Sequence, residues 1–309
     1  MASYLVTGGA GFIGSHLAEE LLRRGHKVRV ADSLITGKRA NLNSIKAAEF
    51  LEGDLAELPF AEQAVAGMDY VLHQAAIPSV PRSVEDPVTS NRANITATLS
   101  TLWAAKNAGV KRLVYAASSS AYGNTPTLPK REDMATNPLS PYALQKYVGE
   151  QYCRLFTNLY GFETVSIRYF NVFGPRQDPG SPYSGVISQF ADALLTGRQP
   201  TIYGDGGQTR DFTYVANVVD GVLKACEAPN AKGEVINVAT AGRISLNDLV
   251  RVMNSIIGSN VQPVYKEPRA GDVRDSQADI STAKVLLGYE PAVSLEEGLK
   301  LTLEWFRRA

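Results

Sequence analysis

The sequence predicts an α/β protein built on a doubly wound parallel sheet, followed by a smaller, mixed α/β region at the C-terminal end. Three observations carry this prediction. Short apolar runs rich in β-branched residues alternate with longer helical patterns through the first half of the 309 residues, which is the rhythm of βαβ units. The runs are apolar nearly throughout, as strands covered by helices on both faces are. A glycine-rich turn, Gly8-Gly9-Ala10-Gly11-Phe12-Ile13-Gly14, joins the first run to the first helical pattern.

In chain order, the expected strands are Tyr4–Thr7, Lys27–Ala31, Glu49–Leu51, Tyr70–His73, Arg112–Ala116 and Thr164–Arg168. The clearest helices between them are Phe12–Arg24, Val88–Asn107 and Pro141–Tyr160. Ser140 is placed to cap the last of these, and Pro141 suits its first helical position. After residue 172 the rhythm breaks at the Pro/Gly-rich stretch Gly174-Pro175-Arg176-Gln177-Asp178-Pro179-Gly180, which is too irregular for an element interior. Beyond it a helix near Gly185–Leu195, a strand Val235–Val238 and helices near Leu246–Ile257 and Leu295–Arg308 are expected. The chain therefore divides into residues 1–172, joined by a returning strand near 213–240, and residues 173–309 lying against the carboxyl edge of the sheet.

Composition narrows the function. Lys and Arg number 31, as do Asp and Glu, with no block of like charge, so nucleic acid and anionic membranes are not expected partners. No run approaches 18 apolar residues, and the N-terminus lacks the basic and apolar segments of a signal peptide; a soluble, cytoplasmic protein is predicted. Cys153 and Cys226 form neither a disulfide framework nor a ligand pair, and His16, His26 and His73 have no acidic or thiol neighbour at metal-ligand spacing, so no metal site is expected. Both cysteines, and the helical Trp103 and Trp305, read as packing residues.

The glycine turn contains GxGxxG at Gly9, Gly11 and Gly14. Glycines permit the tight turn and let backbone approach a pyrophosphate, while the following helix N-terminus offers oriented N–H donors. Asp32 ends the second strand 18 residues after Gly14, where a carboxylate accepts hydrogen bonds from two ribose hydroxyls and repels a 2′-phosphate. The fold is thus Rossmann-type and the cofactor NAD. Lys38 and Arg39 keep NADP as an alternative, being basic side chains near Asp32. Asp54 either reaches the adenine or caps its own loop.

Tyr142 and Lys146, at i and i+4 of one predicted helix, share a face. A free phenol titrates near 10, but a neighbouring ammonium and a cationic nicotinamide favour the phenolate, so the pair can exchange a proton with an alcohol. Ser118-Ser119-Ser120 follows the fifth strand, where a hydroxyl can share a hydrogen bond with the reacting oxygen or simply leave the strand in a turn.

Together, Thr7–Gly14, Asp32, Asp54, His73-Gln74-Ala75-Ala76, Ser118 and Tyr142-xxx-Lys146 resemble the extended short-chain dehydrogenase/reductase family, and within it the nucleotide-sugar 4-epimerases. Arg168-Tyr169-Phe170-Asn171-Val172-Phe173-Gly174-Pro175-Arg176-Gln177-Asp178-Pro179, Ser79–Ser83 and Gly271–Asp279 are similar to the branch acting on UDP-GlcNAc and UDP-GalNAc. The resemblance implies Ser118, Tyr142 and Lys146 as catalytic residues. It implies cofactor contacts from Gly8, Gly11, Phe12, Ile13, Gly14, Asp32, Ser33, Gly37, Asp54, Leu55, Gln74, Ala75, Ala76, Asn94, Tyr142, Lys146 and Tyr169. It implies substrate contacts from Ser79, Ser118, Ser119, Tyr142, Asn171, Gln177, Val186, Tyr203, Arg210, Arg269, Asp272 and Ser276. Arginines suit a diphosphate because a guanidinium donates two parallel hydrogen bonds.

The implied activity is a redox cycle on a UDP-hexose. The 4-hydroxyl is oxidised to a ketone with NAD that stays bound and is recycled, the sugar turns over, and the hydride returns to its other face. The expected substrates are UDP-GlcNAc/UDP-GalNAc, with UDP-Glc/UDP-Gal possible as well. Sister dehydratases resemble Thr-Asp-Glu where this chain has Ser118-Ser119-Ser120, so the acid and base for eliminating water are missing here; decarboxylation is weakened by the same stretch. UDP-glucuronate 4-epimerase remains the alternative, and a non-catalytic NAD sensor a further one that the intact Tyr142–Lys146 pair disfavours. The helices 88–107 and 141–160 are those through which resembling enzymes form a homodimer.

Overall fold

The computed structural model describes residues 1–178, 185–268 and 273–308. In chain order its elements begin with β1 (Ser3–Thr7), α1 (Phe12–Arg23), β2 (Lys27–Asp32), β3 (Glu49–Glu52), α2 (Leu58–Val65), β4 (Tyr70–His73), α3 (Val80–Glu85), α4 (Pro87–Asn91) and α5 (Ala97–Asn107). They continue with β5 (Arg112–Ser118), α6 (Pro141–Tyr160), β6 (Glu163–Tyr169), β7 (Val172–Phe173), α7 (Val186–Leu195), β8 (Thr201–Tyr203), β9 (Thr209–Arg210), β10 (Thr213–Tyr214) and α8 (Val215–Glu227). The last are β11 (Val235–Val238), β12 (Ile244–Ser245), α9 (Leu246–Ile257), β13 (Val264–Lys266), α10 (Ser281–Leu287) and α11 (Leu295–Arg308).

A seven-stranded sheet in the order β11-β6-β5-β4-β1-β2-β3, parallel at every pairing, forms the centre. Helices α2, α5 and α6 pack together on one face, while α1 and α8 pack together on the other. This accounts for the apolar strands: Leu5, Val6, Leu72, Leu113, Val114 and Val165 are fully buried, because helices cover both faces. Strand order reverses between β1 and β4, so their carboxyl ends diverge and open a crevice there.

Beyond β7 the chain makes three two-stranded pairings, β10 with β7, β12 with β9 and β13 with β8, and packs α7, α9 and α11 together. Residues 215–227, within the stretch expected to return as a strand, form α8; the strand that rejoins the main sheet is β11, at Ile236↔Ile167 and its neighbours. Arg112 of β5 closes the end of α8, donating through one nitrogen to the carbonyls of Ala225, Cys226 and Ala228 at 2.7–3.1 Å. These are the carbonyls a helix leaves without partners at its C-terminus.

The continuous helix expected over Val88–Asn107 is interrupted. Residues Arg92–Thr96 form a π-helical turn between α4 and α5, an insertion that twenty residues of periodicity do not reveal. Helix α6 begins as the sequence predicts, with the Ser140 hydroxyl accepting the Ala143 N–H at 3.2 Å and Pro141 at the first position. Ser140→Ala is expected to lower stability by about 1 kcal/mol, read as a lowered denaturation midpoint with an unchanged m value.

Candidate active site

A cavity of about 1020 Å³ runs across the carboxyl ends of the strands and into the C-terminal region. That is large even for a ligand site and suits two ligands end to end. One end is the glycine turn. Gly8 has φ +66°, and a Cβ on Gly14 would lie 2.2 Å from the Gly8 carbonyl oxygen, so only glycines allow this approach of helix to turn. Gly11 caps α1 with no side-chain hydrogen bond and no acidic residue in the first turn. The N–H groups and positive end of the helix are thus left to an anion in the cavity.

Asp32 is buried, and its carboxylate accepts the N–H of Ala10 at 3.0 Å and of Leu34 at 2.8 Å. Burial pushes its pKa up; the two backbone donors pull the other way. A Cβ on Gly37 would meet the carboxylate at 2.7 Å. Lys38 and Arg39, the two bases that kept NADP open, are committed to carboxylates: Lys38 to Asp178 at 2.9 Å and Arg39 to Glu52.

Ser33, Leu55, Ala75, Ala76, Tyr169 and Phe12 line the same cavity, as do Ile13, Asp54 and Gln74. Asp54 both lines it and caps its own loop, accepting the Ala56 N–H at 2.8 Å while pairing with Arg92 at 2.9 Å. Gln74 accepts the Tyr169 hydroxyl at 2.8 Å, yet its Nε2 is buried with no hydrogen-bond partner. A buried donor without an acceptor is costly, and this one sits in the wall of a cavity sized for a dinucleotide. The residues present therefore fit NAD.

Asn94 does not line the cavity. It is buried behind the wall in the π-helical turn, where its Oδ1 accepts the Ile77 N–H at 2.7 Å and its Nδ2 donates to Gln145 at 2.7 Å. The extra residue of the π turn brings this side chain to brace the Gln74–Ser79 loop against α6. His73 is likewise structural, held between Thr7 and Thr98 at 2.9 and 3.0 Å, with burial lowering its pKa to about 3. Thr7 also accepts the backbone N–H groups of Gln74 and Ala75 at 3.1 and 3.2 Å.

The centre of the cavity holds Ser118, Tyr142 and Lys146. Lys146 donates to the Ala116 carbonyl at 2.8 Å, which fixes the ammonium against β5. Burial lowers its pKa to about 8, with Cys153 and Glu150 working against the shift. Tyr142 is half-buried and raised above the usual phenol range by burial; a hydrogen bond from Ser118 acts in the opposite direction. Ser118 accepts two hydrogen bonds from Ser120, its hydroxyl at 2.8 Å and its N–H at 3.2 Å. A hydroxyl whose lone pairs are so engaged has its own proton left to donate. Ser83 completes the frame by accepting the Tyr142 N–H at 3.0 Å.

Ser79, Ser119, Asn171, Gln177, Arg210 and Ser276 also line the cavity. The Ser79 hydroxyl also caps α3, accepting the Arg82 N–H at 3.2 Å. Asn171 has φ +34° and donates to the Asp211 carbonyl at 3.0 Å. Val186 and Tyr203 are not among the described residues lining the cavity, although Gly185 beside Val186 is. Val186 opens α7 and packs on the main core, and Tyr203 lies in β8, paired with β13. Arg269 and Asp272 lie outside the described residues. Sequence reasoning missed Lys130, Arg82, Arg176 and Asp178 in the cavity wall. Lys130 had no signal, whereas Arg82 falls in the Ser79–Ser83 segment and the last two in Arg168–Pro179. Among the described residues no group of acidic, histidine or cysteine side chains is arranged to hold a metal.

Comparisons with known proteins agree with this geometry. The model of the NAD dependent epimerase/dehydratase family matches residues 4–239. A UDP-glucose 4-epimerase of Mycolicibacterium smegmatis is 40% identical over 308 residues, covering 98% of each chain. The solved UDP-N-acetylglucosamine 4-epimerase of Methanobrevibacter ruminantium, in complex with UDP-N-acetylmuramic acid, superposes with a TM-score of 0.95 at 39% identity, covering 99% of this chain and 98% of that one. UDP-glucuronic acid 4-epimerase of Bacillus cereus, solved with UDP-glucuronic acid and NAD, superposes with a TM-score of 0.91 at 33% identity over 99% of both.

Proposed function

Because the chain belongs to the NAD dependent epimerase/dehydratase family, we propose that it is a UDP-hexose 4-epimerase acting on UDP-GlcNAc and UDP-GalNAc, with UDP-Glc and UDP-Gal as further substrates. The observation that carries the reading is the joining of Ser118, Tyr142 and Lys146 to the glycine turn in one cavity, with small Ser276 in the same wall.

The glycine turn, Asp32 and Gln74 would hold NAD, which would supply a reversible hydride acceptor. Tyr142 removes the proton from the sugar O4 as the ketone forms and returns it when the alcohol is restored. Ser118, its lone pairs engaged by Ser120, donates toward the phenol and steadies the oxyanion. Lys146 keeps a positive charge at neutral pH and favours the phenolate. Arg210 and Asn171 face the diphosphate, with Arg269 proposed beside them.

The test is incubation with UDP-GlcNAc and no added NAD, followed by separation of the epimers. Formation of UDP-GalNAc supports the assignment; turnover of UDP-glucuronate alone would replace it by the hexuronate alternative. On the cofactor, NAD is expected to bind at least about tenfold more tightly than NADP, one unit of a single lost ribose contact set. A titration giving equal affinities would refute this role for Asp32.

We further propose a homodimer through α4–α5 and α6. Val88, Leu144, Leu155 and Leu159 are exposed there, and Trp103 packs on Tyr160 at 6.1 Å between ring centres. Light scattering on the eluting protein reads the mass directly. Among the described residues no helix is long and apolar enough to cross a membrane.

A further inference from the structure

The segment from Gly174 to Asp178 leaves β7, enters the cavity wall, and is tied to the dinucleotide-binding half at both of its ends. Its inner end is anchored in the protein. The Pro175 carbonyl accepts a hydrogen bond from His16 Nε2 at 3.0 Å. Since a carbonyl only accepts, the ring carries its proton on Nε2. Arg176, with φ +69°, turns its guanidinium onto α1, where it bonds Ser15 at 3.2 Å and Glu19 at 2.5 Å. The Arg176 side chain is only 14% exposed. The outer end is different. Asp178 pairs with Lys38 at 2.9 Å, and these side chains are 40% and 53% exposed.

Lys38 stands directly over the glycine turn, because its own N–H donates to the Ala10 carbonyl at 2.9 Å and Asn41 donates to the same oxygen at 2.8 Å. Lys38 and Asp178 both line the cavity, together with Gly8, Gly11 and Asp32. The pair thus joins the loop after β2 to the loop after β7, across the mouth of the crevice at the switch between β1 and β4.

We propose that the Lys38–Asp178 ion pair is a clasp over the dinucleotide site, hinged on the Arg176–Glu19 and His16–Pro175 contacts, and that its opening limits the rate at which NAD leaves. The inference rests on the NAD-dependent reading above and adds to it the residues that retain the cofactor. An exposed pair is worth little to stability, which suits a closure that must open, and it is screened by salt. The clasp residues are positioning residues: their proposed effect is on retention of the cofactor and not on the reacting atoms.

The experiment uses the whole chain loaded with NADH, chased with excess NAD, with the loss of bound NADH fluorescence giving the dissociation rate. Lys38→Met and Asp178→Asn are each expected to raise that rate about two- to fivefold, and the double variant no further than either single one. Raising ionic strength from low to high is expected to accelerate release from the parent by a similar factor and to leave both variants unchanged. The charge-swapped pair Lys38→Asp/Asp178→Lys is expected to recover most of the parental rate. Unchanged release in the single variants, or effects that multiply in the double variant, would overturn the clasp while leaving the epimerase reading intact. A parent chain that holds no dinucleotide would overturn the epimerase reading and the clasp with it.

Discussion

Replacing Tyr142 by phenylalanine is expected to lower turnover by about 10²–10⁴-fold, the usual worth of a positioned acid–base group, while NAD binding and stability stay near those of the parent. The variant deletes one oxygen from a half-buried ring and leaves the frame around it intact. The Tyr142 N–H still donates to Ser83, and Lys146 still donates to the Ala116 carbonyl. What it removes is the acceptor for the O4 proton. Ser118 does not substitute, since a serine hydroxyl has no ammonium-favoured anionic form at neutral pH. The effect should therefore appear in kcat with little change in KM, because a proton acceptor acts in the transition state rather than in binding. Lys146→Met is the companion measurement. If the ammonium favours the phenolate, the pH at which the rate half-rises should move up in that variant. A Tyr142→Phe rate within threefold of the parent would exclude the phenol as the base.

Much of this site is legible in the sequence because its chemistry is local. The glycine turn, Asp32 at the end of β2, and Tyr142 with Lys146 one helical turn on are each set by spacing within a single βαβ unit. The same holds for the Ser140 cap and Pro141 that start α6. What the sequence hides is set by contacts between distant segments. Lys130 is a buried lysine in the cavity wall, bonded to Thr125 at 2.6 Å, and nothing in its neighbours marks it. Asn94 is placed by a π-helical turn that adds one residue to a pattern of unbroken helical appearance. Val186 and Tyr203 follow the irregular stretch after Gly174, where no periodic element fixes the register, and neither is among the described residues lining the cavity. Lys38 was legible as a base near Asp32, but its partner Asp178 lies 140 residues further on.

Ser276→Tyr is expected to abolish activity on UDP-GlcNAc while sparing or improving activity on UDP-Gal. Ser276 lines the cavity, and on the proposed reading it faces the 2-substituent of the hexose, where the resemblance implies a bulky tyrosine in glucose-restricted members. The backbone there has little freedom to retreat. The Ser276 N–H donates to the Thr209 carbonyl at 3.1 Å, and the neighbouring Asp275 carboxylate accepts the Thr209 hydroxyl at 2.5 Å. The added ring must therefore project from a fixed point, and on the proposed reading it enters the space an N-acetyl group at C2 would fill. Overpacking of that kind costs about 3 kcal/mol, which is more than a hundredfold in relative rate, and a repulsive element of this sort sets specificity as effectively as an attractive one. A hexose with only a hydroxyl at C2 leaves room for the ring and gains an apolar wall. Ser276→Ala separates volume from hydrogen bonding: it should keep UDP-GlcNAc activity within about tenfold, because the space remains and only one neutral hydrogen bond is lost. Kinetics of both variants on both substrates decide the matter. An unchanged UDP-GlcNAc rate in Ser276→Tyr would remove this residue from the sugar contact and leave the N-acetyl assignment without its support.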